Sequence, residues 1–365
     1  IIKQSKDNNM SKILEKLQKN CRTAQAQVLS ESKFFSDNEM VTTSVPMINA
    51  ALSGRLDGGL TSGFTAFAGP SKHFKTSFAL LVASSYLKKY PDAALLFYDS
   101  EFGSPQTYFE SFGIDTARVF HTPVTNIEEL KFDLVHQLNE LDRSDKVIII
   151  IDSLGNIASK KEVEDAENMK SVADMTRAKA MKSLTRMVTP MLKMKDIPMI
   201  GINHTYKTQE MFSKEVVSGG TGIIYAADNI WIIGRQQDKV GTEIQGYHFI
   251  INVEKSRFVK EKSKIPISVS WDGGIEKWSG LIEVALEGGF AYKPKNGWYN
   301  AKDPETGEDI FSSNKRAKDT LTAEFWEPIF KKTTFEQFVK NKYTIGQTKM
   351  ISEDLSEDEV LEENE

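Results

Sequence analysis

Three groups of residues in this sequence have types and spacing suited to phosphate chemistry. The segment Gly69-Pro70-Ser71-Lys72-His73-Phe74-Lys75-Thr76-Ser77 stands between an apolar run at 64–68 and an amphipathic run at 75–89. That strand-loop-helix context is the one a phosphate-binding loop requires. Backbone N–H groups at the helix start would cradle a β-phosphate, with the helix dipole favouring the negative charge. Lys75 would reach the β- and γ-phosphates of ATP, and Thr76 would ligate Mg2+. The general pattern, GxxxxGK[ST], has a second glycine where this chain has Phe74. Glycine serves there because the backbone must approach phosphate without a Cβ in the way. Taken alone, the segment also fits a chance strand-loop-helix that happens to carry a lysine.

The second group is the run Val147 to Ile151, which ends in Asp152. An acidic residue at the C-terminal end of a buried parallel strand can orient Mg2+ through water. Asp152-Ser153 also precedes a loop, so a helix N-cap is compatible with the same residues. The third is Glu101, just past the apolar run 94–99, at the edge where an open α/β sheet places ligands. A carboxylate there could polarise the water that attacks a γ-phosphate; a solvated loop glutamate is the plainer alternative.

These groups need a sheet to bring them together, and the chain supplies the pattern. Strands are predicted at 64–68, 94–99, 147–151 and 198–202, alternating with helices at 75–89, 127–141 and 174–194. Continuous apolar strands alternating with helices imply a mostly parallel sheet covered on both faces, an α/β fold with a P-loop NTPase core. Three further strands, 229–233, 246–254 and 265–271, extend it, with Asp272-Gly273-Gly274 as a turn. Residues 11–33 suit a short amphipathic helix and an extended arm, and a small helical appendage rich in Phe and Trp is expected after Leu281. The resulting division is 1–9, an extension before Met10-Ser11 expected to be foreign to the fold; 10–44, a helix and arm for oligomerisation; 45–280, the ATPase core; 281–346, a C-terminal subdomain; and 347–365, an acidic disordered tail.

Composition narrows the class further. With 365 residues, 27% charged and 40% hydrophobic, the chain reads as a globular protein rather than a membrane or disordered one. Its lone cysteine, Cys21, excludes an intramolecular disulfide and points to a reducing compartment. The net charge of −5 is misleading for nucleic-acid binding, because eight acidic residues lie between Glu353 and Glu365 and the rest of the chain carries +3.

With the three groups in this order and at these separations, the chain resembles the RecA recombinases, and within them those of T-even-type bacteriophages. The resemblance rests on Glu31-Ser32-Lys33-Phe34-Phe35, on GPSKHFKT with its phenylalanine, on Tyr98-Asp99-Ser100-Glu101-Phe102-Gly103, and on Ile151-Asp152-Ser153-Leu154-Gly155. Asn203-His204-Thr205-Tyr206 and Lys293-Pro294-Lys295-Asn296-Gly297-Trp298-Tyr299 extend it nearly to the tail.

The resemblance implies roles position by position. Glu101 would be the residue that activates the hydrolytic water, Tyr108 an aromatic against the adenine, and His204 the sensor that passes γ-phosphate occupancy to a DNA-binding loop. Lys255 and Arg257 would be paired cations reaching an ATP bound to the neighbouring protomer. Two cations one residue apart project to the same side of a strand, as that reach requires. By sequence alone, Tyr108 also fits an ordinary buried helix tyrosine, and Lys255 and Arg257 ordinary surface charges.

The family's two mobile DNA loops would fall at about 159–173 and 206–222. Lys160, Lys161 and Arg177 supply cations in and after the first, and Tyr206, Lys207, Phe212 and Lys214 serve the second, where Gly219 and Gly220 would let it rearrange. Phe34 and Phe35 are candidate anchors for polymerisation, or else pack into their own domain.

The implied activity is ATP-dependent DNA strand exchange by a helical homo-oligomeric filament on single-stranded DNA that pairs it with homologous double-stranded DNA, in the cytoplasm of an infected bacterial host. Implied partners include the phage single-stranded DNA-binding protein and a recombination mediator or helicase loader; no membrane is involved. A ring-forming helicase of the same fold, or a non-catalytic filament protein, stands as the rival reading.

Overall fold

The protein is described from a computed structural model covering residues 12–23, 25–32, 39–168, 176–208, 215–240 and 243–346. An exposed helix α1 (Lys12–Asn20) and the short α2 (Pro46–Ser53) precede the first strand, β1 (Gly63–Ala68). The core then alternates: α3 (Lys75–Lys89), β2 (Ala94–Asp99), α4 (Gln106–Ser111), β3 (Val119–Pro123), α5 (Ile127–Glu140), β4 (Val147–Asp152), α6 (Lys160–Glu167), α7 (Thr176–Lys195) and β5 (Pro198–Asn203). A small antiparallel pair, β6 (Thr205–Lys207) and β7 (Glu215–Val217), leads into α8 (Thr221–Ala226). Strands β8 (Asn229–Val240), β9 (Glu243–Lys255), β10 (Lys264–Ser270) and β11 (Gly274–Ile275) complete the main sheet.

That sheet has nine strands in the order β11-β10-β9-β8-β1-β5-β4-β2-β3. The six strands from β8 to β3 are parallel, and β9, β10 and β11 extend the sheet by antiparallel pairing. The inner parallel strands are buried on both faces, which is why they read as unbroken apolar runs, whereas the edge strand β3 is largely exposed. Alternate residues divide cleanly between the two sides. Phe67, Phe97, Ile148, Ile150 and Ile200 pack with α2, α3 and the C-terminal helices. Phe64, Tyr98, Ile149, Ile151 and Met199 pack with α5, α7 and α8.

Beyond the sheet come α9 (Leu281–Glu287), β12 (Ala291–Lys295), β13 (Trp298–Ala301), β14 (Lys315–Arg316), α10 (Ala323–Lys332) and α11 (Phe335–Tyr343). The expected helical appendage therefore also contains a three-stranded antiparallel sheet, in the order β12-β13-β14. Its hairpin turns on Asn296-Gly297, with Lys295 paired to Trp298 and Gly297 at φ 73°, the dipeptide a two-residue hairpin favours. The aromatic residues of this part form its core: Trp326 stacks on Phe330 at 6.0 Å and on Phe335 at 5.8 Å. Among the described residues no helix is long and apolar enough to cross a membrane.

Candidate functional site

Because the parallel strands share one direction, the C-terminal ends of β1, β2, β4 and β5 open on a common edge. Each delivers candidate residues there. The loop after β1 leads to Lys75 and Thr76, β2 to Glu101, β4 to Asp152 and β5 to His204. All five line a cleft of about 750 Å³, together with Ser71, Lys72, His73, Phe74, Ser77 and Tyr108. A volume of that order suits a nucleotide-sized ligand.

The loop 69–76 is shaped by two residues in the left-handed region, Lys72 at φ 62° and Phe74 at φ 59°. Such a conformation costs a non-glycine residue about 1–2 kcal/mol. Phe74 offsets the cost through its ring, which lies 5.2 Å from Phe249 and 6.0 Å from Phe78. The backbone thus keeps the shape a glycine would adopt, while the side chain is anchored in the core. At the apex, Arg235 donates to the Lys72 carbonyl at 3.0 Å and stacks on Tyr247 at 4.6 Å. Sequence reading missed both Arg235 and Tyr247, which come from strands β8 and β9 and carry no motif.

Lys75 donates to the Pro70 carbonyl at 2.8 Å, and burial holds its ammonium below the usual lysine value. The Thr76 hydroxyl donates to Asp152 Oδ2 at 2.8 Å. Burial raises the Asp152 carboxyl to about pKa 6, against the opposing hydrogen bond from Thr76. A buried carboxylate beside a hydroxyl offers the oxygen donors that suit Mg2+ held mainly by phosphates and water, while the Lys75 ammonium suits phosphate and not metal. Among the described residues there is no cage of three His, Cys, Asp or Glu side chains.

Glu101 is held by three donors on its Oε1: Ser153 Oγ at 2.5 Å, Asn156 Nδ2 at 2.8 Å and His204 Nε2 at 2.9 Å. The His204 contact, ahead of the Ser153 hydroxyl, keeps the carboxyl below the usual glutamate value. Donation by His204 requires the proton on Nε2, a tautomer assigned from this network. Asp99 fixes the segment from behind, its Oδ1 accepting the backbone N–H groups of Glu101 and Phe102 at 3.0 and 2.7 Å. The loop after β4 comes so near that a Cβ on Gly155 would lie 2.6 Å from the His204 ring.

His204 also leads away from the cleft. Its backbone carbonyl accepts from Ser218 N–H at 2.9 Å, and the buried Asn203 side chain donates to the Ser218 carbonyl at 2.7 Å. Ser218 opens the turn through Gly219 and Gly220, both at positive φ, into α8. Tyr206 and Lys207 are exposed on β6, while Phe212 and Lys214 lie outside the described residues. In the first candidate loop, residues 160–167 form α6, closed by a capping box between Ser159 and Glu162. Lys160 and Lys161 are exposed on it. Arg177 instead donates to the carbonyls of Leu154, Gly155 and Ile157, bracing the turn after β4.

Tyr108 sits in the cleft with its hydroxyl against Ser77 Oγ. Lys255 and Arg257 do not line this cleft. β9 ends at Lys255, so Arg257 is placed by the bend that follows and not by strand alternation, contrary to the sequence expectation. Lys255 Nζ donates to the Ile224 carbonyl at 2.8 Å, in the last turn of α8. Phe34 and Phe35 lie outside the described residues, as do 1–9 and 347–365.

Residues 8–276 match the family described as RecA N-terminal domain. The chain belongs to the RecA family. Residues 278–339 match a second family, the C-terminal domain of the bacteriophage T4 recombination and repair protein. The chain is 56% identical to the "Recombination and repair protein" of Enterobacteria phage T4, over 87% of this chain and 82% of that one. Bacterial relatives are more distant: "Protein RecA" of Streptomyces rimosus is 26% identical over 75% of this chain and 72% of its own. That of Kineococcus radiotolerans is 28% identical over 69% and 71%. The RecA-like core carries the cleft just described, and the region after it is similar to the phage protein.

Proposed function

We propose that this protein is an ATP-driven DNA strand-exchange recombinase that works as a helical filament on single-stranded DNA, with each ATP site completed by the next protomer. The observation that carries the proposal is the position of His204. It bonds Glu101 on the nucleotide side and Ser218, at the root of the second candidate DNA loop, on the other. A change at the γ-phosphate end of the cleft therefore has a short covalent and hydrogen-bonded route to that loop.

In this reading the backbone N–H groups of 71–76 and Lys75 bind the phosphates, and Tyr108 bounds the base. Thr76 and Asp152 would hold Mg2+, whose chemistry is to neutralise charge building up on the β- and γ-phosphate oxygens. Glu101, ionised and oriented by Ser153, Asn156 and His204, takes a proton from the attacking water. Lys255 and Arg257, away from their own cleft, reach the nucleotide of the neighbouring protomer. Tyr206, Lys207, Phe212, Lys214, Gly219 and Gly220 form one DNA-binding loop, and Lys160 and Lys161 support the other. Contacts of this kind engage phosphates and base faces, so discrimination falls to base pairing. Helix α1, with Ile13 and Leu17 exposed and no buried residue, suits docking on the next protomer, with Phe34 and Phe35 as further anchors. Single-stranded DNA-binding and mediator proteins of the phage, in the host cytoplasm, are the further partners.

The test is complementation in mixed filaments. Glu101→Gln and Lys255→Ala protomers, each inactive alone, should together hydrolyse ATP on single-stranded DNA. Inactivity of the mixture would mean that the site is not shared between protomers.

A further inference from the structure

Asp228, the residue before β8, is 1% exposed. Two cations flank its carboxylate: Lys193 Nζ lies 2.9 Å from Oδ2, and Arg257 Nε is in ion-pair contact with Oδ1. Among the described residues neither oxygen has a hydrogen-bond donor of good geometry, so ion pairs alone stabilise the buried charge. The carboxylate is also wedged against backbone, since a Cβ on Gly63 would lie 2.1 Å from Oδ2.

One cation is enough to neutralise one buried carboxylate. Lys193 fills that role and is itself fixed, donating to the Ser62 carbonyl at 2.6 Å. The second cation is therefore surplus to charge balance. It is also the one directed outward, because the Arg257 side chain remains 64% exposed. Contact is made through Nε, at the root of the guanidinium, a grip that sets the direction of the outer fork.

We infer that Asp228 is a positioning residue: it aims Arg257 at the triphosphate of an ATP bound by the adjacent protomer. The inference rests on the shared-site reading above and adds to it the group that makes the reach geometrically defined. An arginine on an exposed bend would otherwise sample many rotamers, and pre-orienting it lowers the entropy lost when the fork closes on phosphate. Lys255 is tied by hydrogen bonds to the last turn of α8 and feels Asp228 only through its field, so direct contact with Asp228 holds one member of the pair.

The experiment uses full-length protein on single-stranded DNA and reads ATP hydrolysis. Asp228→Asn alone should lose about 10- to 100-fold in turnover, the scale of a misplaced catalytic group. Mixed with Glu101→Gln protomers, it should regain activity, because its own cleft is intact and the partner supplies a correctly held Arg257. Mixed with Arg257→Ala it should regain nothing, since both defects fall in the same half of the shared site. A merely structural defect would damage both halves, and Glu101→Gln would not relieve it. The double variant Lys193→Met/Asp228→Asn, which removes both buried charges, guards against misfolding and should behave as Asp228→Asn does. Wild-type turnover in Asp228→Asn, or a deficit unrelieved by Glu101→Gln while that of Arg257→Ala is relieved, overturns the inference. Failure of Glu101→Gln to complement Arg257→Ala overturns the shared site itself, and the inference with it.

Discussion

The Thr76 hydroxyl donates to Asp152 Oδ2 at 2.8 Å, joining the first turn of α3 to the last residue of β4. This bond links the candidate phosphate-binding loop to a carboxylate that burial holds near pKa 6. Relative to an ordinary aspartate at 3.8, the folded state raises the pKa, so ionised Asp152 is a stability cost present above the folded value. A shift of this size corresponds to about 3 kcal/mol. Asp152→Asn should therefore raise the unfolding temperature of the nucleotide-free protein by several degrees at neutral pH. The gain should fade as pH drops through 6 and vanish below about 4. The same variant should lose ATP hydrolysis by about two orders of magnitude. Thermal unfolding across pH, beside a turnover assay, checks both halves.

Glu101 shifts in the opposite direction, so its base form persists below the usual glutamate range. Asp152 and Glu101 should therefore separate in the pH dependence of hydrolysis. kcat/KM, which reports the free protein, should fall on the acid side near pH 6 with Asp152, while kcat holds to lower pH. Glu101→Gln should cut kcat by about 10²- to 10⁴-fold with ATP binding retained. Coincident acid limbs in the two profiles would contradict the assignment.

Phe74 combines a left-handed backbone with core contacts to Phe78 and Phe249. Glycine at this position would relieve about 1 kcal/mol of strain yet lose the ring, whereas alanine would keep the strain and lose the ring as well. Denaturation midpoints should accordingly fall in the order wild type, Phe74→Gly, Phe74→Ala, with hydrolysis surviving in Phe74→Gly.

The shared placement of the 69–76 loop, Asp152 and Glu101 was legible because strand, loop and helix are local, and because continuous apolar runs marked β1, β2, β4 and β5 to within a residue or so. What escaped notice depends on distant partners. Val119–Pro123 alternates too little to announce an edge strand, and Arg235 and Asp228 acquire meaning only from residues far along the chain. Two signals were present and unread: Ser159 with Glu162, a capping box that makes a helix of part of the first loop, and Asn296-Gly297, a hairpin inside an appendage read as helical.

Tyr206 and Lys207 are neighbours on β6 and should contribute to DNA binding by different physics. Lys207→Ala should weaken single-stranded DNA binding and make the slope of log K against log salt shallower by about 0.7, the value for one phosphate contact on a single strand. Tyr206→Ala should cost about 1–3 kcal/mol, the range for losing a base-stacking ring, with the slope unchanged. Titrations of each variant at several salt concentrations separate the two.

The most direct measurement is joint-molecule formation from circular single strands and linear duplex, with ATP and Mg2+. Strand exchange predicts joint molecules with homologous duplex, none with heterologous duplex, and none from Lys75→Ala protein. Strand displacement without a homologous partner, or DNA-stimulated hydrolysis that yields no joint molecules, would contradict the account and favour a helicase of the same fold.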